Sequence, residues 1–464
     1  MKLLQRAVPP LLVASTSLLT NASPLQPRHL SPQSPGPHHT YDGWKVYRLH
    51  PDESWQATNE LLERELKGWT HWSQGAMVSF DIAVPPSQTG KFESLNVGHR
   101  TMHEDLGDSV RRSLPSSSDD GGWKAKRDMD AWFDDYHRYE EHVEFFDELH
   151  AMFPNNSEII SCGQSYEGKN IFGIHLWGDE GPGKPAVLYH GTVHAREWIT
   201  TPVVEYITKS LIQGYKEGRN ETVSLLNKMD YFIFPIVNPD GFIYSHEEDR
   251  MWRKNRQPAP EGLSNQTCIG TDINRNWEAF WDSNPAGASP DPCSDTYRGS
   301  SPGSAPETVA LDTFARRLRD GPGIKLYVDW HSYSQLILYP YAHRPDLQPG
   351  ELGRFQITAA YAASRIMYEG KMRKEESRGS GEVRTFQFGP VAPTLYPTTG
   401  DAMSHIYSVC GVEFPYLVEL PDTGEHGFLY PREMIREAAE EQWLSQRMVQ
   451  HLIHEKYFDG EGLV

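Results

Sequence analysis

The segment Ala186-Val187-Leu188-Tyr189-His190-Gly191-Thr192-Val193-His194-Ala195-Arg196-Glu197-Trp198 decides the fold. Its first four residues read as a buried strand. From Ile199 to Leu211, apolar residues at Val203, Ile207 and Leu211 recur at helical spacing. A buried strand that turns directly into a helix is a unit of an open α/β sheet, and such sheets place ligands at the carboxyl ends of their strands. His194 and Glu197 stand at that junction, spaced His-x-x-Glu. Imidazole nitrogen and carboxylate oxygen are both zinc-ligand types. The same short pattern also suits a capped helix start with a surface arginine–glutamate pair, so it needs support from elsewhere in the chain.

Outward from this segment, strand-like runs at Ile171–Leu176, Tyr231–Val237, Ile324–Val328 and Tyr416–Glu419 alternate with helical runs at Val143–Phe153, Glu307–Arg319, Leu352–Tyr368 and Arg432–Ile453. The alternation predicts an α/β domain over 128–455, with a central mixed, mostly parallel sheet and helices on both faces. Residues 456–464 form a tail. Upstream, Trp44–Leu49 and Met77–Ala83 alternate like strands and Trp55–Leu66 carries helix formers, so residues 41–103 read as a small α+β module. Residues 104–127 hold Ser116–Ser118, Asp119-Asp120 and Gly121-Gly122, a flexible linker by composition. Arg111-Arg112 and Lys126-Arg127 within it are paired basic residues of the kind processing proteases cut.

The N-terminus has the form of a secretory signal over 1–22. Lys2 and Arg6 precede an apolar run from Val8 to Leu19, then the small residues Thr20-Asn21-Ala22. A Pro/His/Ser-rich segment over 23–40 is expected to be disordered. Sequons at Asn155, Asn220 and Asn265 agree with secretion to an extracellular or vacuolar compartment. Cys268 and Cys293 flank a Gly/Pro/Asn-rich loop and suit a disulfide. Cys162 and Cys410 are either buried thiols or a second bridge. The balance is acidic, 44 Lys+Arg against 63 Asp+Glu. A nucleic-acid binder needs a basic face, so that class is excluded. No stretch approaches the roughly 20 apolar residues of a membrane span.

A catalytic zinc site has three protein ligands and one open position. The third candidate is His331, in Asp329-Trp330-His331-Ser332-Tyr333-Ser334, again after a strand. Alone, it better suits a hydrogen-bonded cleft histidine than a ligand. The ordered segments His194–Trp198, Asn238–Phe242, Asp249–Lys254, Asp272–Trp277, Ser304–Thr308, His331–Leu336 and Glu419–Gly424 carry a resemblance. Over about residues 40–455 the chain resembles the zinc carboxypeptidases of the A/B (funnelin) type. It looks most like a fungal secreted branch that includes inactive members.

The resemblance implies one Zn2+ held by His194, Glu197 and His331, polarising the scissile carbonyl and activating water. It implies that Asp272 orients a histidine ligand. Arg253 stabilises the oxyanion, and Asn274 with Arg275 binds the substrate's terminal carboxylate. Arg196, Arg250, Ser332, Tyr333 and the mobile Tyr396 complete the substrate site. Glu419 matches the general base. The implied protein is a secreted monomeric zymogen that acts on peptide or protein C-termini. Its ferredoxin-like prosegment serves as its own inhibitor. In the inactive branch a non-acidic residue stands at position 419, so Glu419 separates this reading from its alternative, a silent zinc-keeping relative that acts by binding. The Tyr396–Glu419 stretch is one residue longer than in digestive members, which puts the specificity position on Met403 or Ser404. Both are neutral, so uncharged apolar or aromatic C-termini are expected. Residues 370–390 look like an insertion.

Overall fold

The computed structural model describes residues 39–50, 55–73, 80–115, 128–262, 267–376, 378–380 and 382–454. The first sheet has strands β1 (Lys45–Leu49), β2 (Thr70–Ser73), β3 (Phe80–Val84) and β4 (His99–His103) in the order β2-β3-β1-β4. All its pairings are antiparallel. Helices Trp55–Glu65 and Pro86–Ser94 connect β1 to β2 and β3 to β4, which is the ferredoxin-like arrangement. Tyr47, Leu49, Leu62, Phe80, Ile82 and Phe92 form its own core.

The linker expectation fails over its first part. Residues Leu106–Ser113 form a helix. Asp105 caps it by accepting the Asp108 N–H at 3.2 Å, and Leu106 and Val110 are buried at one turn's spacing. The Ser/Asp/Gly composition that suggested a linker belongs to 116–122. Those residues lie outside the described set, as do Lys126-Arg127, the signal at 1–22, Asn265 and the tail at 456–464.

The second sheet has eight strands: β5 (Ser157–Gln164), β6 (Asn170–Leu176), β7 (Ala186–Gly191), β8 (Asp230–Phe234), β9 (Ile324–Ser332), β10 (Leu336–Tyr339), β11 (Gln387–Pro390) and β12 (Phe414–Leu420). Their order is β11-β10-β12-β9-β7-β8-β6-β5. The central run β12-β9-β7-β8 is parallel, and the antiparallel pairings lie outside it. Side chains alternate between faces along a strand. Val187 and Tyr189 of β7 therefore pack with helices Thr200–Lys216 and Ile435–Ile453. Ala186 and Leu188 pack with helices Pro306–Asp320 and Ala402–Cys410 on the other face. Both faces are buried, so β7 has no polar alternation.

The insertion at 370–390 extends the helix Leu352–Glu375 and then supplies β11. Buried Arg384 anchors it on the last helix, 2.9 Å from Glu441 and 3.3 Å from Glu437. Cys268 and Cys293 are bridged, with Cα atoms 5.0 Å apart. Cys162 and Cys410 are free thiols, which removes the second bridge. Asn155 and Asn220 are exposed.

Candidate active site

The parallel strands bring the expected ligands together. After β7, Thr192 turns the chain off the sheet with φ 55°. A β-branched residue holds such a backbone only where its surroundings fix it. Here the Thr192 N–H donates to Thr200 Oγ1 at 2.9 Å, and its hydroxyl meets Thr201 Oγ1 at 2.6 Å. His194 and Glu197 follow on that turn. His331 lies near the end of β9, the neighbour of β7, and Glu419 of β12 stands opposite His331 in parallel register.

His194 Nδ1 is 2.8 Å from Glu197 Oε1, and His331 Nδ1 is 3.0 Å from Glu197 Oε2. One ligand atom from each of the three residues lies within 4.8 Å of the others, and all three side chains are buried. Two imidazoles and a carboxylate converging on one point fit a zinc site with an open position. Burial alone would raise the Glu197 carboxyl, but His194 and His331 hold it well below the usual carboxylate range. It is thus in the ionised form a metal ligand needs.

The outer ring nitrogens are also held. His194 Nε2 is 3.2 Å from Asp272 Oδ1, and His331 Nε2 is 2.9 Å from Asp329 Oδ2. A carboxylate there fixes the ring and makes the inner nitrogen a better ligand. Sequence reading missed Asp329, although its signal was present: residues i and i+2 of a strand share a face. Arg253 donates through Nε and Nη2 to Asp272 Oδ2 at 3.1 and 2.8 Å. Asp272 Oδ1 also accepts the Asn274 N–H at 2.9 Å, which fixes the turn carrying Asn274 and Arg275. One cavity is lined by His194, Arg196, Glu197, Arg253, Asn274, Arg275, His331, Ser332, Tyr333, Tyr396 and Glu419.

Residues 142–445 match the family described as zinc carboxypeptidase. The chain belongs to that family. It is 40% identical to the "Metallocarboxypeptidase A-like protein" of Trichophyton verrucosum, over 87% of this chain and 92% of the relative. It is 36% identical to the "Metallocarboxypeptidase A" of Trichophyton rubrum, over 86% and 91%. Its structure is similar to that of thrombin activatable fibrinolysis inhibitor, with TM-score 0.76 and 25% identity over 89% of this chain and 100% of that one. The protein is thus a hydrolase of the metallocarboxypeptidase class, and zinc is the metal the family implies.

Three expected site residues of this carboxypeptidase lie elsewhere. Arg250 does not line the cavity. It is fully buried, stacks 3.6 Å from the Trp198 ring centroid, and donates to Arg196 O and Phe428 O at 2.8 Å each. It therefore supports the cleft wall. Met403 packs into the apolar core, and Ser404 Oγ faces the Ala342 N–H at 3.4 Å. Both sit in the first turn of helix Ala402–Cys410, which faces the sheet; from this loop the cavity takes Asp401 instead. His405 turns away to Asp312 at 2.8 Å.

Burial raises the Glu419 carboxyl above the ordinary range. His331 opposes this and the Glu197 charge adds to it. The N-terminal module contacts the cleft rim directly. Arg196 Nη2 donates to Trp72 O at 3.3 Å. The Tyr333 hydroxyl donates to buried Asp81, which also pairs with Arg48 at 2.7 Å, and Arg48 reaches Thr423 O. Trp72, Tyr333 and Phe428 share one apolar cluster with Leu106 and Val110.

Proposed function

We propose that the protein is a secreted zymogen of an active carboxypeptidase that removes single residues from peptide C-termini, with Glu419 as general base. The observation that carries this reading is the β9–β12 register, which sets an acidic residue opposite the candidate ligand His331 in the shared cavity. His194, Glu197 and His331 would hold a zinc ion, which would supply Lewis acidity toward the scissile carbonyl and the attacking water.

The chain's own residues do the rest. Arg275 and Asn274 take the terminal carboxylate, and Tyr396 covers it. Glu419 accepts a proton from the attacking water as the new C–O bond forms. It passes that proton to the leaving amine as the C–N bond breaks. Arg253, its position fixed by Asp272, faces the oxygen on which charge develops. The module at 41–113 acts as inhibitor because it occupies Arg196 and Tyr333, two cleft residues that a substrate would need.

The test is hydrolysis of blocked dipeptides by full-length protein and by protein cleaved near Lys126-Arg127. Cleaved protein turns over, full-length protein does so far more slowly, and a chelator abolishes both. A zinc-replete cleaved protein that hydrolyses nothing overturns the reading in favour of a silent binding relative.

A further inference from the structure

Behind the candidate metal site lies a further layer of buried polar side chains. Residues of one strand point alternately to its two faces. On β9, Val328 and Trp330 pack into the core on one side and Tyr327 into the core on the other. Asp329 and His331 follow Tyr327 at the same period of two. On β7, His190 continues the face of Ala186 and Leu188, and the parallel register sets it opposite Asp329. Tyr327, His190 and Asp329 are all fully buried.

These side chains form a file that ends at the candidate ligand. The Tyr327 hydroxyl is 2.6 Å from His190 Nε2. His190 Nδ1 is 3.3 Å from Asp329 Oδ1, and Asp329 Oδ2 is 2.9 Å from His331 Nε2. Neither Asp329 oxygen accepts a hydrogen bond from any other described group. Burial holds the His190 pKa below its ordinary value against the pull of Asp329, so the ring is neutral and carries one N–H. An ionised carboxylate only accepts, so that N–H belongs at Nδ1. Nε2 is then the acceptor for the Tyr327 hydroxyl. Asp272, the carboxylate behind His194, is met by the Arg253 guanidinium. Asp329 faces two imidazoles instead. A buried carboxylate is unfavourable unless donors meet its oxygens, so each N–H that faces Asp329 counts.

We propose that His190 is a positioning residue for the metal, acting through Asp329 on the His331 ring, with the Tyr327 hydroxyl fixing which nitrogen of His190 carries the hydrogen. With Nε2 of His331 held from behind, Nδ1 stays aimed at the point shared with His194 and Glu197. Without His190, Asp329 keeps one imidazole and its other oxygen is left bare in the core. The proposal rests on the zinc reading of that site.

Zinc affinity is measured by chelator competition on full-length parent, His190→Leu, His190→Asn and Tyr327→Phe, beside the melting temperature of each metal-free protein. Leucine fills the site without a donor, whereas the asparagine amide places an N–H near the position of Nδ1. His190→Leu should weaken zinc affinity roughly tenfold, the lower end of the range for an outer partner, because it acts one residue further out. His190→Asn should recover most of that loss, and Tyr327→Phe should fall between the parent and His190→Leu. A purely structural histidine would lower the melting temperature and leave zinc affinity unchanged, so equal affinity in His190→Leu and the parent overturns the proposal. Equal losses in His190→Leu and His190→Asn also overturn it, because they trace the effect to packing and not to the donor. Where His190→Leu does not fold, Tyr327→Phe, which loses a single oxygen, decides, and unchanged affinity there overturns the proposal. A parent that binds no zinc overturns the metal-site reading, and the proposal with it.

Discussion

The carboxylates that line one cleft sit in two different settings. Around the candidate metal site three carboxylates have basic partners: Glu197 lies between two imidazoles, Asp272 between His194 and Arg253, and Asp329 beside His331. Asp401, which lines the same cavity, caps a helix through one oxygen and leaves the other buried without a hydrogen bond. Paired charges are fixed before substrate arrives, so they orient ligands and stabilise a transition state without reorganising.

The sharpest way to break that contrast is at the metal. His331→Ala should abolish stoichiometric zinc and reduce hydrolysis to background, read by metal analysis beside kinetics. Full zinc occupancy in that variant would contradict the ligand set. Arg253→Met should keep zinc and lower kcat by about 10²–10³, and an unchanged kcat would show that its pairing with Asp272 is structural only.

The module's grip on the cleft gives a pH test. His103 Nε2 lies 3.2 Å from His426 O, and burial lowers its pKa from 6.5 to about 4, with Arg112 adding and Asp422 opposing. Undocking exposes the ring, so the undocked state takes up more protons between those values. Docking is therefore strongest above pH 6.5 and weakens as pH falls toward 4, by about 3 kcal/mol in all. The activity of uncleaved chain relative to cleaved enzyme should rise across that window on acidification. A flat ratio would remove His103 from the account. The smallest effect belongs to Asp329→Asn, which should weaken zinc affinity about 10–100-fold in a chelator competition. Unchanged affinity would mean that His331 is held by its strand alone.

The metal end was legible because its signals are local. His194 and Glu197 share one turn, and His331 follows a readable strand. The side-by-side placement of Glu419 and His331 needed the sheet order, which no spacing encodes. The burial of Met403 and Ser404 was not legible, because helix Ala402–Cys410 begins one residue after Asp401 and turns both toward the core. A capping aspartate also looks the same in sequence whether its second oxygen is satisfied or open. The helix at Leu106–Ser113 was hidden by the composition of the residues after it. The insertion was legible as extra chain, but not as an edge strand anchored by Arg384 on Glu441.

The central claim is that Glu419 moves the proton. Glu419→Gln keeps the shape of the side chain and removes the base. Zinc content and hydrolysis of a blocked dipeptide, measured on cleaved parent and variant side by side, test it directly. The account predicts equal zinc and a rate lower by roughly 10²–10⁴ in the variant. Equal rates in the two proteins would contradict it.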